Sequence, residues 1–327
     1  GQATLPHGTQ PAATFPADAP APVIRDKFAA DPDARIFGDT CYIYPTVDED
    51  QWKTTQFRVW SSKDLVNWKD EGAVLDLAKG EVSWANLYAW APGVTERAGK
   101  FYMYFCGDKK IGVAVADKPT GPFKDALGHP LVAPGDLPAL RGQQIDPCPF
   151  VDDTAGKEAY LYWGNGHMYV RKLGADMISF DGELKDITPK IPAGGTPAGR
   201  YNEGTFVIKR KGVYYFMWSE NDARSADYRV AYGTSDSPLG PIKVAEQRII
   251  LSKSGSVVGT GHHSVINVPG TDKWYIFYHR HAIPGGNGFI REVCMAPLKF
   301  REDGTIEPVE VNKAAFGEGS AGESWGK

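Results

Sequence analysis

CYIY at 41–44, FYMY at 101–104, AYLY at 159–162, VYYF at 213–216 and WYIF at 274–277 are five copies of one short segment. Each is dense in aromatic and β-branched residues, the composition that suits a half-buried pleated strand. Their second residues, Tyr42, Tyr102, Tyr160, Tyr214 and Tyr275, lie 60, 58, 54 and 61 positions apart, which is the spacing of a repeat. A second strand-like run follows each copy, at FRVWSSKDLVNWKDEG from Phe57, IGVAVADKPTGPFKD from Ile111, MYVRKLGADMISFDG from Met168, YRVAYGTSDSPLGPIKV from Tyr228 and IREVCMAPLKFREDG from Ile290. Strand, Gly/Pro/Asp turn and short strand at this period describe four-stranded blades around an axis, so the expected fold is all-β, a five-bladed β-propeller. Long helical periodicity is almost absent, since stretches such as 132–141 are broken by Pro and Gly.

Working outward, a third element precedes each tyrosine strand: ADPDARIFGDT, WAPGVTERAGK, IDPCPFVDDTAGK, NEGTFVIKRKG and GTGHHSVINVPGTDK. In a propeller these are the innermost strands, whose starts converge on the axis. Counting back from the strand tyrosine, Asp31, Ala91 and Glu203 lie 11 residues upstream, His262 lies 13 and Asp146 lies 14. Three carboxylates and a histidine are therefore expected to face one another across as many as 231 positions of sequence. Asp31 and Glu203 take equivalent places in this count, which favours Asp31 over Asp33 two residues on.

Cleaving an acetal needs a proton donor for the leaving oxygen and a carboxylate that activates water or attacks carbon. A third acid nearby raises its neighbours' pKa and keeps the donor protonated near neutral pH. A divalent-metal site is the alternative use of three acids, but it usually takes ligands close together in sequence. Glu203 is followed by the apolar Phe206 and Val207, surroundings that favour a neutral acid, whereas Asp31 must stay ionised to act as a base.

Bulk properties narrow the partners. The 327 residues are 42% hydrophobic and 12% aromatic, enough for a core that folds without staples. A net charge of −4 from 36 basic and 40 acidic residues, spread along the chain, leaves no electrostatic footprint for nucleic acid or an anionic membrane, so a neutral partner fits better. No apolar run reaches 18 residues, so no membrane-spanning helix is expected. Cys41, Cys106, Cys148 and Cys294 stand singly in apolar runs and read as buried free thiols rather than ligands or disulfides. The Ala/Pro/Thr-rich residues 1–23, beginning Gly-Gln without Met, read as a tail or linker at a trimmed or mature start, before a single catalytic domain at 24–327.

Taken together, DPDARIFGDTCYIYPT, WAPGVTERAGKFYMYF, IDPCPFVDD, NEGTFVIKRKGVYYFMWS, SDSPLGP and GTGHHSV resemble the motif set of glycoside hydrolase family 43, over about residues 25 to 311. No one of these motifs is specific; their order at propeller spacing is. The resemblance implies an inverting mechanism in which Asp31 is the general base, Asp146 tunes pKa and orients substrate, and Glu203 is the general acid. It further implies that His262 lies on the axis beneath the site, holding water or a cation such as calcium, and that Arg291 reaches the substrate and the general acid. Trp90, in AWAPG, matches a pocket-wall aromatic, and sugar C–H faces pack well on such rings. Trp163 reads as core, and the GNG at 164–166 and GGNG at 285–288 as turns without a phosphate-cradle context.

The expected activity is exo-acting removal of a terminal pentose, foremost α-L-arabinofuranosyl, from plant cell-wall polysaccharide or oligosaccharide. β-Xylosidase comes second, then endo-arabinanase or galactan-directed activity; presence of the first-blade Asp31 disfavours the galactan-directed members that lack it. A sugar-binding propeller without catalysis and a retaining relative are the competing readings. No cofactor is required, the axial calcium or other cation being structural at most, and a polymeric substrate suggests a secreted or periplasmic protein.

Overall fold

In the computed structural model, which describes residues 15–192 and 198–326, the chain forms five antiparallel sheets. Blade one comprises β1 (Ala29–Phe37), β2 (Thr40–Val47), β3 (Gln56–Ser62) and β4 (Lys69–Asp76). Blade two comprises β5 (Trp90–Arg97), β6 (Lys100–Gly107), β7 (Lys110–Ala116) and β8 (Lys124–Asp125). Blade three comprises β9 (Cys148–Val151), β10 (Ala159–Trp163), β11 (Tyr169–Lys172) and β12 (Lys185–Asp186). Blade four comprises β13 (Tyr201–Arg210), β14 (Val213–Glu220), β15 (Arg229–Ser235) and β16 (Lys243–Leu251), and blade five β17 (Gly261–Asn267), β18 (Trp274–His281) and β19 (Arg291–Leu298). The tyrosine copies are the second strands, as their composition predicts. Ala98-Gly99 and Lys211-Gly212, both residues of each pair at positive φ, make two-residue hairpin turns whose twist matches the strands they join.

The first strands touch in a closed ring, β1 to β5 to β9 to β13 to β17 and back to β1, which makes the molecule a five-bladed β-propeller. Each gap between blades is packed with large side chains. Tyr44 and Phe57 meet Val94, Met103 and Phe105; Tyr104 and Val113 meet Leu161, Trp163 and Tyr169; Ile43 and Trp60 meet Tyr275 and Phe277. Burial of one such side chain contributes about 1.5–3 kcal/mol, so these layers dominate the energetics of closure. Trp163 is indeed core, and all four cysteines are buried and free.

Blade five departs from the expected four strands, having three. Its outer edge is met instead by the chain's beginning, where the Val23 N–H donates to the Val293 carbonyl. Of the segment read as a tail, residues 1–14 lie outside the described residues, whereas residues 15–23 pack on the propeller: Ala19 is buried, and Asp18 accepts from the Ser256 N–H. The tail reading thus stops short of residue 23, because these positions cover an otherwise bare strand edge.

Candidate active site

Four of the five innermost strands bulge at their axial ends, and the fifth is preceded by a residue of the same left-handed backbone. In β1, β5, β13 and β17 the register slips between Ala30 and Asp33, Trp90 and Gly93, Glu203 and Phe206, and Gly261 and Ser264, so two residues oppose one on the second strand. The first residue of each bulge has positive φ: Asp31 (51°), Ala91 (30°), Gly204 (68°) and His262 (43°); Asp146 (60°) matches them ahead of β9. A bulge re-aims the side chain it carries, and a left-handed non-glycine residue is held there only by its surroundings. Here the bulges turn Asp31, Asp146 and His262 toward one another.

This register corrects the sequence alignment of the blades. Asp31 is equivalent to Gly204, not to Glu203, which precedes the bulge and pairs with Ser219. The misplacement arises in the VYYF copy, where the tyrosine that matches Tyr42 and Tyr102 in register is Tyr215 rather than Tyr214. Gly204 also serves a steric need: a Cβ would sit 3.0 Å from Ser219 Oγ and 3.4 Å from the His262 ring. Its N–H is left free to donate to Asp146 Oδ2 at 3.2 Å.

Asp31 is buried and surrounded by donors. Thr46 Oγ1 donates to its Oδ2 at 2.7 Å, and Thr46 is itself oriented by the Ala91 N–H. Arg291 Nη1 lies 3.4 Å and His262 Nδ1 3.2 Å from its Oδ1. Burial works against ionisation, but the neighbouring charges of His262, when protonated, and Arg291 outweigh it and hold the carboxyl well below the usual range. Arg291 is the permanent cation of the pair, because burial pushes the His262 imidazole down. His279 accepts the Asp31 N–H at Nδ1 (3.1 Å) and stays neutral, its pKa pushed down to about 3 by burial and then by Arg291.

Glu203 sits in the opposite regime. Burial, opposed by a hydrogen bond from Tyr228 and aided by the Asp31 charge, pushes it up to about 7. Tyr228 Oη donates to Oε2 at 2.9 Å and Asn165 Nδ2 to Oε1 at 3.0 Å. Asp146 is raised well above the usual range by burial and then by Glu203 and Asp31, so this pair resists double ionisation. His262 stands between the acids, 3.9 Å from Asp146 Oδ2.

These groups floor a cavity of about 420 Å³ whose rim includes Trp52, Tyr88, Trp90, Lys109, Asp222 and Arg224. All six expected site residues line it: Asp31, Asp146, Glu203, Trp90, His262 and Arg291. Asp33 does not compete with Asp31, for it accepts from Arg35 Nε (3.0 Å) and the Val94 N–H (2.9 Å) beneath the bulge. Asp48 grips the Arg291 guanidinium at 2.7 and 2.9 Å and aims it at Asp31, so Arg291 acts on Glu203 through its charge across the cavity rather than through a hydrogen bond. The 164–166 glycines do make a turn, but one that delivers Asn165 to Glu203, so the GNG segment is more than a connection. Asp48, Thr46, Tyr228, His279 and Trp52 escaped the sequence reading as well. Thr46 closes the DPDARIFGDTCYIYPT motif and Asp48 lies just after that tyrosine strand, but neither residue type there announces a role at the site.

A propeller whose axial pocket opposes an aspartate held below the ordinary carboxyl range to a glutamate raised above it fits the glycosidase class. The chain belongs to Glycosyl hydrolases family 43, whose description it matches over residues 20–306, and it acts on O-glycosyl bonds. It is 34% identical to the beta-D-galactofuranosidase xynD of Aspergillus niger, across 86% of this chain and 82% of that protein. To the xylosidase/arabinosidase 43A of Humicola insolens it is 29% identical, across 88% and 98%. Among solved structures, a GH43_1 enzyme from Xanthomonas citri superposes with a TM-score of 0.75 at 30% identity, covering 94% of this chain and 98% of that one.

Proposed function

We propose that this protein is an inverting, exo-acting glycosidase that releases terminal pentose, foremost α-L-arabinofuranosyl units, from plant cell-wall polysaccharides and oligosaccharides. The observation that carries the reading is that Asp31, faced by Arg291, and Glu203, held by Tyr228 and Asn165, line one axial cavity, with Asp31 pushed below and Glu203 above the ordinary carboxyl range. In this reading Asp31 takes a proton from water as the water oxygen bonds to the anomeric carbon. Glu203 gives its proton to the departing glycosidic oxygen as that bond breaks, and the anomer inverts. Burial first, and then the Asp31 and Asp222 charges, favour the protonated form of Glu203, while Asp146, itself raised by burial and by Glu203, is held toward the sugar by the Gly204 N–H. Arg291 keeps the base ionised.

The names of the relatives support a furanosyl or xylosyl substrate. Galactofuranosyl is the second reading, favoured by the Aspergillus niger relative, and its ring shares the configuration of α-L-arabinofuranose with one extra exocyclic carbon. Release of nitrophenol from the α-L-arabinofuranoside, β-D-galactofuranoside and β-D-xyloside ranks the three; fastest cleavage of either of the latter two overturns the pentofuranosyl assignment. NMR of the first-formed anomer tests inversion, and a retained anomer removes Asp31 as base.

Asp146, Glu203 and His262 offer ligand atoms within 4.8 Å of one another, a donor set able to hold the axial cation with water completing the six to eight oxygens calcium takes. In the proposed hydrolysis both proton transfers are made by side chains, so incubation with a chelator should leave kcat unchanged; a fall in kcat would assign the axial group a cation.

A further inference from the structure

Residues 48–55 join β2 to β3 at the mouth of the pocket, and their backbone is unusual. Asp50, Gln51 and Trp52 adopt φ of 46°, 52° and 74° in succession. Side chains other than Gly, Asn and Asp avoid this region because Cβ crowds the carbonyl oxygen. A run of three ending on an indole persists only where its surroundings over-determine it. Those surroundings are specific. The Trp52 Nε1–H donates to the Gly288 carbonyl at 2.9 Å, and its ring lies 4.4 Å from that of Phe289. Its own carbonyl accepts the Trp90 indole N–H at 2.8 Å, and the two indoles meet edge to face at 6.2 Å. The Arg291 guanidinium lies 5.7 Å from the Trp52 ring. Trp52 is thereby pinned to blade two and to the β18–β19 connection of blade five, half-buried, with its ring on the cavity.

The cavity walls are unlike one another. Tyr88, Trp90 and Trp52 form a continuous aromatic arc on the cavity, adjacent rings 5.1 and 6.2 Å apart, with Phe289 backing Trp52 at 4.4 Å. Asn165, Asn202 and the Asp222–Arg224 pair make the wall on the Glu203 side. The acid must meet the leaving oxygen, so the departing chain runs over the polar wall. The terminal ring, with its apolar C–H face, is left to the aromatic one.

We propose that Trp52 is a substrate-binding residue, the platform on which the non-reducing terminal sugar packs and the barrier that stops a longer chain from passing between blades five and two. The barrier role rests on the exo reading above. Trp52→Ala should raise KM at least about tenfold on whichever nitrophenyl glycoside the wild type cleaves, with a smaller fall in kcat and an unmoved pH midpoint. Trp52→Phe, which keeps a ring and loses the Gly288 bond, should stay within about threefold. On linear arabinan the Ala variant should release oligosaccharides beside monosaccharide. A KM within about twofold of wild type in the Ala variant, or equal losses in both variants, overturns the platform. Calorimetric binding of arabinose, galactose and xylose judges Trp52 without turnover: affinity unchanged by Trp52→Ala, or no sugar bound by the wild type, overturns it. Oligosaccharides released by the wild type instead sink the exo reading and the barrier role, while a raised KM in the variant still supports the platform.

Discussion

Asp31 is pushed below and Glu203 above the ordinary carboxyl range, and the difference comes from what each faces. Arg291, steered by Asp48, faces Asp31; a tyrosine hydroxyl, an amide and other acids face Glu203. The pH dependence of kcat/KM should therefore show an alkaline limb with its midpoint near 7, as Glu203 loses its proton, and an acid limb displaced to strongly acid pH by Asp31. Glu203→Gln should abolish hydrolysis of substrates with poor leaving groups, and survival of that activity would remove Glu203 as the acid. The same residue has a stability signature. Its folded pKa, near 7, exceeds its ordinary value of 4.5, so its contribution is fully present below about 4.5 and is lost as pH rises through 7. The Gln variant should thus melt above wild type at pH 8, with the advantage vanishing at pH 4, which paired thermal scans can check. Asn165→Ala removes a donor that favours the ionised form, and should move the alkaline midpoint upward.

At the scale of the element, the bulge decides where each first strand points its chemistry. Ala91 occupies the same left-handed position as Asp31 without a polar group to present, so it bears the conformational cost with no evident return. Ala91→Gly should be neutral or stabilising by up to about 1 kcal/mol and leave turnover intact, measured by denaturant titration and initial rates. Gly204→Ala should cost roughly 1–3 kcal/mol and depress activity, because the new methyl meets Ser219 and His262 and disturbs the Gly204–Asp146 bond. The strands themselves were legible from their aromatic period and Gly-containing turns. The bulges were not, since Asp and His adopt ordinary φ far more often than positive φ and Ala91 carries no signal at all, and two adjacent tyrosines in VYYF leave a one-residue choice that only pairing resolves.

For the whole molecule, closure is the weak point of a ring of blades, and both ends of the chain guard the seam between blades five and one. Val23 bonds to β19, while the last segment crosses from blade five to blade one: Tyr275 Oη donates to Glu323 Oε1 at 2.6 Å, and Trp325 Nε1 to the Gly38 carbonyl at 3.0 Å. The double substitution Glu323→Ala, Trp325→Ala should lower stability by about 1–3 kcal/mol and leave KM unchanged, since the strap is remote from the cavity; a wild-type melting temperature would show that the seam holds without it. The sequence by itself determined the five-fold architecture, the strands that bear the acids, and the six side chains that reach the axis. It could do so because strand composition and period are local properties that repeat along the chain. Tertiary structure alone decided which acid is ionised, that Arg291 answers to Asp48 and Asp31, that Asn165 and Tyr228 hold Glu203, and that Trp52 walls the pocket. Those outcomes depend on burial and on distances of a few ångströms between blades, set by a register and a ring closure that no single stretch of sequence contains.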